Sequence, residues 1–210
     1  MSRNAPPHPT GTDLLVLHSL RCAGYSTLTT AAATTGLPES DVESQLIDLA
    51  VEGLVTYSAG AFGGWGLTEA GRAADAQRIS GELEAADARP GVSAALDRFL
   101  VLNPELLDLC SAWQLRAVDG VMTMNDHSDP AYDARVLSRI ADLHERAEPV
   151  CAELSALLLR FRRYRERLAQ ALARAEAGEL EYVADSVFSY HSVWFQLHED
   201  LLATLGIPRH

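Results

Sequence analysis

The chain has 210 residues with 17 basic side chains against 29 acidic ones, and every basic residue is arginine. The absence of lysine excludes Schiff-base chemistry, a Walker-type phosphate loop and a kinase strand lysine, because each needs an ε-amine. The net charge of −12 disfavours loose adhesion to nucleic acid or membrane. The 48% of hydrophobic residues can form cores, yet the apolar runs are too short to cross a bilayer. Three widely spaced cysteines, Cys22, Cys110 and Cys151, indicate reduced, packed thiols and a cytoplasmic location.

The first part of the chain has the pattern of three short helices. Residues 1–12 are polar and proline-bearing, and we expect them to be disordered. Thr12 or Asp13 can cap a first helix that ends near Gly24. Ser26 can cap a second, which Gly36 closes. A third helix follows Pro38, with its inward residues at helical spacing: Val42, Leu46 and Leu49.

A β-hairpin is predicted directly after the third helix. Residues 54–58 and 65–67 have strand chemistry, and glycines cluster between them. Thr68 then caps another helix, which begins with the sequence LTEAGR at Leu67. The segment 13–80 resembles the winged helix-turn-helix domain of MarR-like bacterial regulators, above all in Gly53-Leu54-Val55 and in LTEAGR. That resemblance implies a DNA-binding fold in the first third of the chain.

The charge distribution argues against strong DNA binding by this segment. The third helix carries no arginine and offers serines and carboxylates outward. If DNA is bound, the residues expected to contact it are Ser40, Ser44 and Arg72, with Arg21 as support. The alternative is a winged helix kept for packing or protein contact.

The rest of the chain is predicted to be helical. Residues 81–92 are expected to form a linker, and residues 93–210 an antiparallel α-helical bundle for ligand binding and dimerisation. A helix predicted over about residues 93–116 is expected to break or restart at Asn103-Pro104, and residues 119–129 are expected to form a polar loop. A long helical region from Pro130 to Glu176 is expected to bend or break at Pro149, and Gly178 separates it from a last helix over about residues 179–206. The fold class is therefore mainly α, a winged helix-turn-helix followed by a bundle.

Polar and aromatic residues in this second part indicate a small polar or anionic ligand. The candidates are His127, Arg163, Arg167, His191 and His198. His191 and His198 lie two helical turns apart, about 10 Å, so they cannot easily share one metal ion. A polar site is possible if neighbouring helices bring other polar residues to this face, namely Asn125, Asp126, His127, Asp129, Asp133 or His144. Such a layout is similar to the all-helical, metal- and acid-binding effector domain of some GntR-type regulators. Satisfied core histidines and a solvated arginine face are the competing interpretations.

The sequence thus favours a ligand-responsive transcriptional regulator with double-stranded DNA, a small ligand and a second copy of the chain as partners. No membrane partner is expected, no cofactor can be named, and a catalytic pair is not evident, since the side chains of His191 and Ser192 diverge on a helix. The first alternative is an accessory protein-interaction module. Its helical segments are similar to some found with phosphoenolpyruvate-using proteins, which implies association at most. The second is a helical enzyme that uses the His191 and His198 cluster.

Overall fold

A computed structural model describes residues 6–60, 63–118 and 120–208, and this part of the chain is mainly helical. Residues 1–5 of the expected disordered start, residues 61–62 of the hairpin tip and Asp119 of the expected loop lie outside the described residues. The elements in chain order are α1 (Thr12–Ala23), α2 (Leu28–Thr35), α3 (Glu39–Val51), β1 (Val55–Ser58), β2 (Gly64–Leu67), α4 (Glu69–Ala85), α5 (Arg89–Gln114), β3 (Leu115–Val118), β4 (Val121–Met124), α6 (Pro130–Leu157), α7 (Arg162–Glu176), α8 (Glu181–Ala184) and α9 (Tyr190–Leu205).

Local signals set the ends of the first helices. The N-cap of α2 is Thr27, one residue later than expected, and its hydroxyl accepts a hydrogen bond from the Thr30 N–H at 3.1 Å. Gly36 closes α2 in the left-handed conformation, as predicted. Helix α1 begins after Gly11 without a side-chain cap, so neither Thr12 nor Asp13 has the expected capping role.

The predicted hairpin is present, with β1 and β2 paired antiparallel. Thr68 caps α4 as expected, because its hydroxyl accepts a hydrogen bond from the Gly71 N–H at 3.0 Å. Gly71 allows close packing there, since a Cβ atom at this position would lie 1.9 Å from the Leu54 carbonyl oxygen. Three helices followed by a two-stranded hairpin are compatible with a winged helix. We call residues 12–85, from α1 to α4, the N-terminal segment.

The core of the N-terminal segment is built from inward-facing aliphatic residues of α1, α2, α3 and the hairpin. It contains Val16, Leu17, Leu20, Ala31, Val42, Leu46, Leu49, Val55 and Leu67. Burial of these side chains, each worth roughly 1.5–3 kcal/mol when large and aliphatic, fixes which residues α3 presents to solvent.

Helix boundaries in the second part differ from the expectations. The expected linker is mostly helical, because α4 extends to Ala85 and α5 starts at Arg89. Helix α5 continues through Pro104, where a break was expected, and α6 likewise continues through Pro149. The Asn103 side chain accepts a hydrogen bond from the Trp194 indole N–H at 2.9 Å, which holds α5 in place beside its proline.

A second hairpin, β3–β4, lies where helical structure was expected to end and where the polar loop of residues 119–129 was expected to begin. It pairs residues 115–118 with residues 121–124, and Gly120 has a positive φ of 81° at the turn. The valines at both sides of the turn favour strands, a signal that the helical interpretation overlooked.

The helical region that begins at Pro130 breaks at Leu158, not at Pro149. Leu158 is extended, and a short 3-10 turn, Leu159–Phe161, precedes α7. His8 forms backbone hydrogen bonds across this break, from its N–H to the Leu157 carbonyl at 3.0 Å and from the Leu159 N–H to its own carbonyl at 2.9 Å. The last predicted helix is also interrupted, between α8 and α9.

The chain divides into two compact units. The first unit contains the described residues up to Ser93, together with Leu154–Arg163 and the residues from Gln196 onward. The second contains Ala94–Glu153 and Tyr164–Phe195, so α9 supplies residues to both. No helix within the described ranges combines the length and apolarity that membrane spanning requires.

Candidate functional site

The outward face of α3 is exposed and acidic. Ser40 and Ser44 are exposed, as a DNA contact would require, and Arg72 is exposed in the first turns of α4. Around the two serines the exposed residues of α3 include four carboxylates, Glu39, Asp41, Glu43 and Asp48. A phosphate that approached α3 would therefore meet mainly negative charge.

Two other arginines of the N-terminal segment are engaged by carboxylates. The Arg78 guanidinium donates to Asp13 at 3.2 Å and to Glu52 at 3.1 Å. Arg21, expected to support DNA contact, has its Nη1 atom 4.0 Å from a Glu199 carboxylate oxygen. Arg72 is thus the arginine of this segment that is fully exposed.

Aliphatic and aromatic side chains are exposed on the same helix and on β1. Ile47 and Val51 lie on α3 at 53% and 85% exposure, and Tyr57 of β1 is 61% exposed. Ser40, Ser44, Ile47 and Val51 follow helical spacing and form one stripe. Apolar groups bordered by carboxylates suit a protein partner better than a phosphate backbone.

A buried ionic cluster joins α1, α4, the 158–163 region and α9 inside the first unit. His18 of α1 lies between two carboxylates, with Nδ1 at 2.9 Å from Asp75 Oδ1 and Nε2 at 3.1 Å from Asp200 Oδ1. All three side chains are buried. Cys22, one helical turn after His18, places its Sγ atom 3.5 Å from the same Nε2 atom.

Arg160 completes the cluster from the 3-10 turn. Its guanidinium donates to Glu82 at 2.8 Å, to Thr204 at 2.7 Å and to Asp200. The Thr204 hydroxyl in turn donates to Asp200 at 3.0 Å. Each guanidinium nitrogen thereby has an acceptor, which is the condition for burying an arginine.

The mutual contacts of the cluster decide its charge states. Burial alone lowers the pKa of an imidazole, but Cys22, Asp200 and Asp75 together raise the pKa of His18 well above its ordinary value. Burial alone raises the pKa of a carboxyl, but Arg160 and His18 hold the pKa of Asp200 well below its usual range. Both shifts favour the charged forms of His18 and Asp200.

Sequence reasoning missed this cluster. Arg160 lies in the same run of arginines as Arg163 and Arg167, but the competing interpretation of a solvated arginine face does not describe it, because its side chain is fully buried. The overlooked signal is the i, i+4 spacing of His18 and Cys22 on an otherwise apolar helix, which places two metal-binding side chains on one face. Asp75, Glu82 and Asp200 carry no comparable local signal.

A second polar site lies in the second unit, where β4 leads into α6. Asn125 donates to Asp133 Oδ1 at 2.9 Å and to the Trp113 carbonyl at 2.9 Å. His127 Nδ1 lies 3.0 Å from Asp133 Oδ2, and its ring contacts the Trp113 indole with centroids 4.8 Å apart. The structure thus brings together three residues of the expected polar loop and helix start, which we call the His127 site: Asn125, His127 and Asp133.

Two features of the His127 site are unusual for a purely structural turn. His127 has a positive φ of 57°, a conformation that costs an ordinary side chain roughly 1–2 kcal/mol. The buried Trp113 indole N–H finds no acceptor among the described residues. Because Asp133 engages Nδ1 and the His127 side chain is 28% exposed, Nε2 is the ring nitrogen left for a ligand.

The other predicted ligand residues are distributed over both units. Arg163 and His198 belong to the first unit, where Arg163 is buried with Nη2 at 3.4 Å from Asp200 Oδ2. Arg167 and His191 belong to the second, and the Arg167 guanidinium lies 6.0 Å from the centre of the Tyr164 ring. Both histidines are half-buried. Their role in ligand binding stays a prediction.

His144 and two cysteines complete the polar interior of the second unit. The Tyr190 hydroxyl and His144 Nδ1 are 3.2 Å apart, and burial lowers the pKa of His144. Burial raises the pKa values of Cys110 and Cys151 to about 12, so these thiols stay protonated and pack as apolar groups.

Comparison with known proteins adds no assignment. No protein family matches the chain, and neither a curated protein nor a solved structure does.

Proposed function

We propose that this protein is a cytoplasmic, ligand-responsive regulator of transcription whose N-terminal segment is a winged helix of the MarR-like kind. The observation that carries the proposal is the buried ionic cluster. His18 of the N-terminal segment contacts Asp200 of α9 directly, and Asp75 is connected to α9 through His18, so the segment does not pack as an independent domain. Any movement of the end of α9 must either move α1 with it or separate buried charges.

The ligand in this proposal binds at the His127 site. A strained histidine, an aspartate that fixes its tautomer and a buried indole N–H without an acceptor together favour a small ligand that carries an oxygen acceptor. Inorganic phosphate and small carboxylates are suitable first probes. A rise in melting temperature with one of them, abolished in His127→Ala, supports the site.

Helix α9 contributes side chains to a polar contact in each unit. This helix supplies Tyr190, which contacts His144 in the second unit, and Asp200, which contacts His18 in the first. A ligand changes regulatory output only to the extent that it binds one arrangement of these side chains better than another. The His127 site and the ionic cluster are the two places where such a difference would be measured.

A homodimer is part of the proposal because β3–β4 exposes an apolar face. Leu115 pairs with Met124 and Ala117 with Met122, so these four side chains share one face of the hairpin. Met122 and Met124 are 63% and 74% exposed. Since an isolated two-stranded hairpin is marginally stable in water, a second copy that covers this face would stabilise it.

Fluorescence anisotropy with duplex DNA tests the regulatory activity. The expected result is binding at low salt that weakens steeply as salt is raised, since phosphate neutralisation supplies the affinity. Absence of binding at low salt contradicts DNA binding by this chain. The protein-contact function would then be favoured by the acidic and apolar face of α3.

A further inference from the structure

We propose that His18, Cys22 and Asp200 form a binding site for one divalent transition-metal ion, with zinc as the metal that their donor atoms fit best. This inference uses the same buried ionic cluster as the proposed function, but it goes beyond that function because it requires neither DNA binding nor the His127 site. It follows from the positions of three buried donor atoms contributed by α1 and α9.

The spacing of the donor atoms is that of a tetrahedral site. His18 Nε2 lies 3.5 Å from Cys22 Sγ and 3.1 Å from Asp200 Oδ1, and all three atoms lie within 4.8 Å of one another. Zinc bonds of about 2.0–2.3 Å at tetrahedral angles separate a nitrogen from a sulfur by about 3.6 Å and from an oxygen by about 3.3 Å. The two distances from His18 Nε2 are therefore within about 0.2 Å of the values that a tetrahedral zinc site requires.

The imidazole of His18 is already oriented for this role. Asp75 engages Nδ1 at 2.9 Å, which directs Nε2 toward Cys22 and Asp200. A carboxylate on the far ring nitrogen is the usual support of a metal-bound histidine, because it fixes the tautomer and raises the basicity of the ligand. The i, i+4 spacing on α1 keeps His18 and Cys22 on one face of the helix.

The charges balance when a metal ion enters. The ion would replace the Nε2 proton of His18 and the thiol proton of Cys22, and the two protons leave to solvent. The two positive charges gained equal the two protons released, so the net charge of the cluster does not change. Arg160 and Thr204 already bond Asp200 and would stay beside the metal as its neighbours.

Thiolate and imidazole ligands select zinc over magnesium or calcium, which prefer oxygen. Because the three side chains are buried, loading needs local opening or takes place during folding, and exchange with solvent is slow. The ion would bind residues of both α1 and the end of α9. The stability of the contact between these two helices would then depend on the concentration of available metal.

Refolding the full chain with Co²⁺ as a spectroscopic substitute for zinc tests the proposal. The expected result is one bound equivalent with a thiolate-to-cobalt charge-transfer absorption that added Zn²⁺ removes. Cys22→Ala should lose the absorption, whereas Cys110→Ala, which removes a buried thiol of the second unit, should retain it.

Two results would overturn the site. One is folded wild-type protein without the charge-transfer absorption, and the other is an absorption that persists in Cys22→Ala. If Cys22→Ala does not fold, X-ray absorption of the zinc-loaded wild type decides the question. A single sulfur neighbour with nitrogen and oxygen neighbours supports the site, and a zinc shell without sulfur contradicts it.

Discussion

His18 of α1 and Asp200 of α9 contact each other in the interior of the first unit, with Nε2 and Oδ1 3.1 Å apart and both side chains inaccessible to solvent. Residues near opposite ends of the sequence therefore share one buried charge cluster. Removing one member leaves its partners charged and without water, which is costly. This relationship makes the cluster the most sensitive point of the fold.

The first prediction concerns Arg160, whose guanidinium donates hydrogen bonds to three residues of the cluster, Glu82, Asp200 and Thr204. Arg160→Met keeps much of the side-chain volume but leaves Asp200 and Glu82 without their shared cation. We expect the free energy of unfolding to fall by about 3–5 kcal/mol, measured by urea denaturation. Arg165→Met removes an exposed arginine that pairs with Glu148 and should change stability little. Equal stability of the two variants would contradict a stabilising cluster.

The second prediction tests the strain at His127. His127→Gly and His127→Ala both remove the imidazole, but only glycine adopts a φ of 57° without steric cost. The glycine variant should therefore be more stable than the alanine variant by about 1–2 kcal/mol. Thermal or urea unfolding of the pair measures this difference. The reverse order would show that the conformation at residue 127 is not strained.

The third prediction concerns pH and His144. Burial lowers the pKa of His144 in the folded state, so the unfolded chain takes up this proton more readily. The stability contributed by neutral His144 is present above the ordinary histidine pKa of about 6.5 and is lost as pH falls through it toward the lowered folded value. His144→Gln can still accept from Tyr190 but cannot titrate. In urea denaturation this variant should lose less stability than wild type between pH 8 and pH 5.5. An identical loss would contradict a lowered pKa of His144 in the folded state.

The elements with local signals were predicted best. Three helices, a hairpin and the Thr68 cap followed from turn glycines, capping hydroxyls and apolar spacing, which act over a few residues. The break expected at Pro104 was wrong, and of the bend or break expected at Pro149 the break does not occur, because packing within the second unit tolerates a proline inside a long helix. The break at Leu158 depends on His8, a partner far away in sequence.

The same distinction applies to the candidate sites. Asn125, His127 and Asp133 are close in sequence and contact one another. Their expected convergence on the face of His191 and His198 stays a prediction. The ionic cluster was not expected, because Asp75, Arg160 and Asp200 look like ordinary surface charges until the fold buries them. Only the His18 and Cys22 spacing was visible in the sequence.

The fourth prediction tests whether β3–β4 mediates dimer formation. Met122→Glu and Met124→Glu place charges on the apolar face of the hairpin, whereas Thr123→Glu places one on the opposite face. Light scattering coupled to size exclusion should show a dimer for wild type and for Thr123→Glu. The two methionine variants should be monomers. If the wild type is a monomer at every protein concentration measured, dimerisation is no longer part of the proposal.

The last prediction separates weak DNA binding from none. Arg72 is the fully exposed arginine of the N-terminal segment, since Arg78 is paired with Asp13 and Glu52 and Arg21 lies near Glu199. If the segment binds DNA, Arg72→Ala should weaken binding to all sequences and reduce the salt slope by about 0.9 for each phosphate that the arginine neutralises in the wild type.

Arg174→Ala is the control. It removes an arginine paired with Glu179 in the second unit and should leave the salt slope of DNA binding unchanged. Anisotropy titrations over a range of salt concentrations measure both slopes. Equal slopes for the two variants would mean that Arg72 neutralises no phosphate, and any remaining affinity would then have to come from the serines of α3 and from backbone amides.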